Sequence, residues 1–104
     1  MPPRRRYGWN DDLGASGRIL VRWETERDVV GYAVTLLAEA DGEWRTVVLF
    51  DCSHGDRNDR HRYSFDGLKG PAETFHLGTP GEAMRDAIHL IRTSYERIIE
   101  RWRQ

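Results

Sequence analysis

The period of the hydrophobic pattern changes once, at Thr79, and that change limits the fold more than any other feature of the chain. Beyond it, Ala83, Met84, Ala87, Ile88, Ile91, Tyr95, Ile98, Ile99 and Trp102 recur at three- and four-residue steps. That spacing lines side chains along one face of an α-helix. Thr79 offers an N-cap hydroxyl, Pro80 suits the first helical position, and Glu82 completes a capping box. The pattern predicts one amphipathic helix of about 24 residues, about 36 Å long at 1.5 Å per residue. Arg97, Arg101 and Arg103 fall at its C-terminal end, where the helix dipole favours cations. His89 falls on its polar side.

Before Thr79 the period is two. Strands are predicted at 18–24, 29–39 and 43–52. Glu24 to Asp28 form a polar turn, and Asp41-Gly42 is a hairpin signal, because tight hairpin turns require positive φ. In 43–52, Trp44, Val48, Phe50 and Cys52 share one parity, while Val47 and Leu49 share the other. Alternate side chains point to opposite faces, so both faces of the sheet centre are expected to be apolar. A polar loop at 53–60 precedes a short strand in which His61, Tyr63 and Phe65 alternate with Arg62 and Ser64. Asp66-Gly67 and Lys69-Gly70-Pro71 turn the chain, and Thr74 to Leu77 add a brief extended piece.

Residues 1–17 hold Pro2, Pro3, Gly8, Gly14 and Gly17 and keep no period. They are expected as a flexible N-terminal arm, docked through Tyr7 and Trp9, with 18–104 as a single domain. The expected class is α+β: an antiparallel β-meander of three to five strands with one long C-terminal helix packed on one face. One helix covers one face only. The other then needs the arm or a second chain, and a homodimer or a protein partner is expected.

At 104 residues there is room for one small core and none for a two-domain enzyme. Sixteen basic residues against seventeen acidic ones give a net charge of −1, which argues against a globally basic nucleic-acid binder. Fifteen of the basic residues are Arg and one is Lys69; the guanidinium fork suits phosphate and carboxylate contacts. Cys52 is the single cysteine, so no intrachain disulfide forms, in keeping with a reducing compartment. No apolar run nears the ~20 residues of a membrane span. The start, Met1 to Arg6, has no apolar stretch of a secretory signal behind it. A soluble, cytoplasmic protein without membrane contact is expected. No Gly-rich phosphate loop follows a strand, which removes kinase and dinucleotide-binding readings, and no cofactor is expected.

The densest chemistry runs from Asp51 to Tyr63. Asp51, His54, His61, Arg62 and Tyr63 are the candidate catalytic residues. In metal-independent RNA cleavage, one imidazole takes the 2′-hydroxyl proton and the other protonates the leaving oxygen. Arg62 or Arg60 neutralises charge on the phosphoryl group, and Tyr63 stacks on a base. Asp51, His54 and His61 are also a possible metal set, though their spacing fits no standard zinc signature. The plainer alternative is structural. His61 is then a core histidine satisfied by Asp51, His54 caps a turn, and Arg57, Arg60 and Arg62 interleave with Asp56 and Asp59 as a solvated loop.

Phe50-Asp51-Cys52-Ser53-His54-Gly55, His61-Arg62-Tyr63, the stretch from Gly67 to Gly70, and Ala72-Glu73-Thr74-Phe75-His76 together resemble a group of short actinobacterial proteins. These are described only as a domain of unknown function, and their closing helix ends in a Trp, as Trp102 does here. The resemblance spans 18–103 and implies no activity. A looser likeness is to the TumE-type toxin components of bacterial toxin–antitoxin pairs, although His54, His61 and His76 are spread here rather than clustered. The expected function is a protein-interaction module, acting as a homodimer or with a partner. An RNA-acting toxin component and a metal-binding protein are the alternatives.

Overall fold

A computed structural model describes residues 2–14, 16–52 and 57–104. Six strands, β1 (Arg5–Gly14), β2 (Gly17–Glu26), β3 (Asp28–Ala40), β4 (Glu43–Cys52), β5 (Asn58–Arg62) and β6 (Glu73–His76), precede one helix, α1 (Pro80–Arg103). Each strand pairs antiparallel with its predecessor, so the sheet order is β1-β2-β3-β4-β5-β6. The α+β meander and its C-terminal helix agree with expectation. The strand number does not: the described residues form six rather than three to five.

The extra strand comes from the stretch expected to be an arm. β1 pairs with β2 from Arg5↔Thr25 to Asp12↔Arg18. Its aromatic residues pin it down. Tyr7 stacks on Trp23 with centroids 5.3 Å apart, and the Arg92 guanidinium sits 5.2 Å over the Trp9 ring. Arg4 and Arg6 add ion pairs to Glu24, at 3.4 and 3.1 Å. These cross-strand pairs hold a segment whose glycines mask its alternation. β5 also begins earlier than expected, at Asn58 rather than His61.

Register defines the core. The rows Ile19–Leu36–Val48 and Val21–Val34–Phe50 cross β2, β3 and β4 on one face. All six residues are buried, and α1 lies over them with Ala83, Met84, Ala87, Ile91, Ile99 and Trp102 buried. Each such aliphatic or Phe side chain contributes about 1.5–3 kcal/mol on full burial. Phe75 of β6 closes the edge by packing against Phe50 at 4.6 Å.

One irregularity reorders the faces. Leu36 pairs with Val48 but Leu37 with Thr46, so Val47 is the extra residue of a β-bulge. Val47 and Val48 are both buried. Trp44, opposite Glu39, falls on the far side of the sheet from Phe50, where the Arg18 guanidinium covers its ring at 4.7 Å. Simple alternation groups Trp44 with Val48 and Phe50; the bulge exchanges Trp44 for Val47. At the β3–β4 turn, Asp41 (φ 54°) and Gly42 (φ 78°) both take positive φ, as the Asp-Gly signal anticipates.

The face away from α1 carries Leu20, Thr35 and Leu49 in one row, flanked by Ala33 and Leu37. All are half-buried, and no element among the described residues lies over them. β1 continues the sheet sideways rather than folding across this face.

A polar anchor places the start of α1. Asn58, 1% exposed, accepts the Tyr32 hydroxyl at 3.0 Å and donates to the carbonyls of His76 (3.3 Å) and Gly78 (2.9 Å). Burial, then the negative potential of Cys52, Asp51 and Asp59, pushes the Tyr32 phenol far above its usual range. The Gly78 amide donates to His76 Nδ1, and His76 Nε2 lies 2.8 Å from Asp86. Thr79 then caps the helix: its hydroxyl oxygen accepts the Glu82 amide at 3.2 Å, and the Glu82 carboxylate accepts the Thr79 amide at 3.2 Å. The Thr79 hydroxyl, donating to the Glu82 carboxylate at 2.9 Å, and then the Thr79 amide hold that carboxyl below the usual carboxylate range. Thr79→Ala is expected to destabilise the fold by about 1 kcal/mol in urea titrations at neutral pH. Because the folded-state pKa of Glu82 is depressed, its contribution is present above the ordinary glutamate pKa and fades as pH falls through the depressed one. The gap between parent and variant therefore narrows in acid.

Candidate functional site

The predicted site residues separate onto two surfaces. Asp51 and His61 share the open face, since His61 opposes Leu49 and Asp51 opposes Ala33. His61 Nε2 lies 3.8 Å from Asp51 Oδ1, and both side chains are 16% exposed. His61 Nδ1 is 3.1 Å from the Gly70 carbonyl oxygen, which can only accept, so Nδ1 carries the proton. The imidazole is thus held at Nδ1 by the turn at 69–70, while its Nε2 faces the Asp51 carboxylate beyond hydrogen-bond length. Asp59 opposes Asp51 and is buried, with Arg57 at 3.9 Å. Among the described residues no group of three or more His, Cys, Asp or Glu is placed to hold a metal ion. His54, the third member of the expected set, lies outside the described residues.

Arg62 points the other way. It opposes Val48, as Arg60 opposes Phe50, so both belong to the helix side of the sheet. They share Glu73, at 3.3 Å from Arg62 and 3.6 Å from Arg60. Tyr63 follows β5, with its amide donating to the Val47 carbonyl and its residue bridging to Lys69. The expected grouping therefore resolves into Asp51 beside His61 on one face and Arg62 on the other, with Tyr63 just past the end of β5. His76 is engaged at the start of α1.

On the helix side, Arg62 and Tyr63 border a groove of about 430 Å³ between β4–β5 and the C-terminal half of α1. Val48, Phe50, Leu90 and Ile98 supply an apolar floor, and Arg60, Arg97 and Arg101 join Arg62 around it. From sequence, Arg97 and Arg101 stand out only as cations at the helix C-terminus. The available signal was their i, i+4 spacing on the helix against the i, i+2 spacing of Arg60 and Arg62 on a strand.

The molecule is an antiparallel meander backed by one helix, with Asp51 beside His61 on one face and an arginine-lined groove on the other. The chain belongs to the family described as a domain of unknown function (DUF7718), which it matches over residues 2–104. That span takes in all six strands and α1. No curated protein and no solved structure matches the chain. No helix among the described residues is long and apolar enough to cross a membrane.

Gly70 holds the turn against His61. A Cβ there would lie 2.6 Å from the Arg62 carbonyl oxygen, which is backbone and already accepts the Gly70 amide at 2.7 Å. Gly70→Ala is expected to cost about 1–3 kcal/mol in chemical denaturation, the range for steric overpacking. It should also shift the His61 imidazole NMR signals, as the Gly70 carbonyl moves.

Proposed function

We propose that this protein is an interaction module whose open sheet face pairs with a second copy of itself. The observation that carries this reading is the register of one row across that face: Arg22, Ala33, Asp51 and Asp59 lie side by side on β2, β3, β4 and β5. Arg22 and Asp51 stand one strand spacing, about 4.8 Å, to either side of Ala33. A twofold axis running along β3 above Ala33 would lay each copy's Arg22 over the other's Asp51. The row of Leu20, Thr35 and Leu49, with Leu37 beside it, would fill the middle. Self-complementary patches of this kind suit closed twofold dimers, and two sheets pack face to face about 10 Å apart.

The same register bears on the ribonuclease alternative. A general acid or base and its charge-neutralising arginine must reach one phosphoryl group. His61 and Arg62 are consecutive strand residues and face opposite sides of the sheet. This favours association over cleavage as the role of the open face.

Light scattering on a gel-filtration column should give the mass of two chains at micromolar concentration. Leu37→Glu and Leu49→Glu should each yield monomers with an unchanged circular dichroism spectrum. Arg22→Asp should weaken the dimer by about ten-fold, and adding Asp51→Arg should recover most of that loss. A parent protein that stays monomeric defeats the proposal.

A further inference from the structure

We propose that the groove beside β5 binds a small amphipathic anion, a carboxylate or phosphate head joined to an apolar body. The inference rests on a different surface from the proposed dimer contact and stands independently of it. Four guanidiniums, from Arg60, Arg62, Arg97 and Arg101, line one concavity. Glu73 is the one carboxylate that pairs with any of them among the described residues, and it serves Arg60 and Arg62. Arg97 and Arg101 are exposed, have no ion pair among the described residues, and stand at i and i+4 on α1. Like charges at that spacing repel. An anion between them relieves the repulsion, and the guanidinium fork is suited to carboxylate and phosphate oxygens.

A further observation is that the groove's own residues have spare donors. Arg60 Nε and Trp102 Nε1 are buried and find no acceptor among the described residues. Trp102 is only 8% exposed, yet its ring forms part of the groove wall. Buried N–H groups are normally paired. Both unpaired donors belong to residues that line this one basic groove.

The floor decides between kinds of anion. Val48, Phe50, Leu90 and Ile98 make it apolar, which a bare phosphate ion would leave unused. A single-stranded nucleic acid would need aromatic faces for its bases. Tyr63 is half-buried, and Trp102 is buried with its ring tilted against Phe65 at 4.7 Å, so no row of free ring faces is offered. The volume, about 430 Å³, falls within the range of small-ligand pockets.

The test uses the full chain, labelled with ¹⁵N, and follows its four tryptophan indole signals. Decanoate and decyl phosphate are the anionic probes, kept below micelle formation. Decanol, inorganic phosphate and a short oligouridylate are the comparisons. Either anionic amphiphile should shift the Trp102 indole signal and leave that of Trp44, on the open face, in place. Comparing the two amphiphiles tells carboxylate from phosphate preference. Decanol and inorganic phosphate should bind at least about ten-fold more weakly. Arg97→Gln with Arg101→Gln, both at exposed positions, should cost a similar factor without altering the thermal melt. The proposal fails if neither amphiphile binds, if Trp44 responds instead of Trp102, or if the arginine pair can be replaced without loss. It fails equally if oligouridylate binds more tightly than both amphiphiles, which would make the groove a nucleic-acid site.

Discussion

Width is the constraint from which the rest of this molecule follows. Six strands at about 4.8 Å spacing span roughly 24 Å, whereas a helix with its side chains is about 10–12 Å across. α1 can cover the middle of one face and no more. It lies over β2, β3 and β4, where the apolar rows are densest. What it leaves uncovered is the whole opposite face and the flank along β5. Of the two surfaces that bear distinctive chemistry, one is the face the helix leaves open and the other is the groove where the side of α1 meets the β5 flank. On the β1 flank, aromatic stacking and arginine ion pairs do the covering instead.

A sheet with one helix needs something to fix where that helix begins, because hydrophobic contacts alone tolerate sliding. Asn58 meets that need. Its amide reads Tyr32 of β3 on one side and two carbonyls of the segment before Thr79 on the other. Buried polar groups cost stability unless every partner is in place, so a misplaced helix start would leave several of them unpaired at once. The capping box then completes the first turn where that anchor has put it.

Much of this architecture was legible because it rests on periodicity. The helix begins at the capping box that Thr79, Pro80 and Glu82 announce, and the Asp41-Gly42 hairpin takes the two positive φ angles that such a pair tolerates. β1 was hidden because glycines interrupt its pattern and because its stability comes from partners distant in sequence, such as Trp23 and Arg92. At the candidate site, the Asp51–His61 approach was readable from a strand end and a strand start joined by one loop. That Arg62 faces away was also implicit in the alternation. The groove was not readable, since Arg60 and Arg97 meet only once the helix is laid on the sheet.

The bulge at Val47 has a consequence for how such a domain can diversify. One inserted residue reverses the pleat for everything on its far side, so the first four residues of β4 present to the exterior what would otherwise be interior, and the reverse. The core rows beyond the bulge are untouched. A relative lacking that one residue would lose Val47 from the core but keep the rows beyond it and the same hairpin partner strand, and would turn Trp44 toward α1 and expose the other parity of this segment. A single-codon change in length, rather than any substitution, is thus the smallest step by which a member of this fold could exchange one outer surface for another.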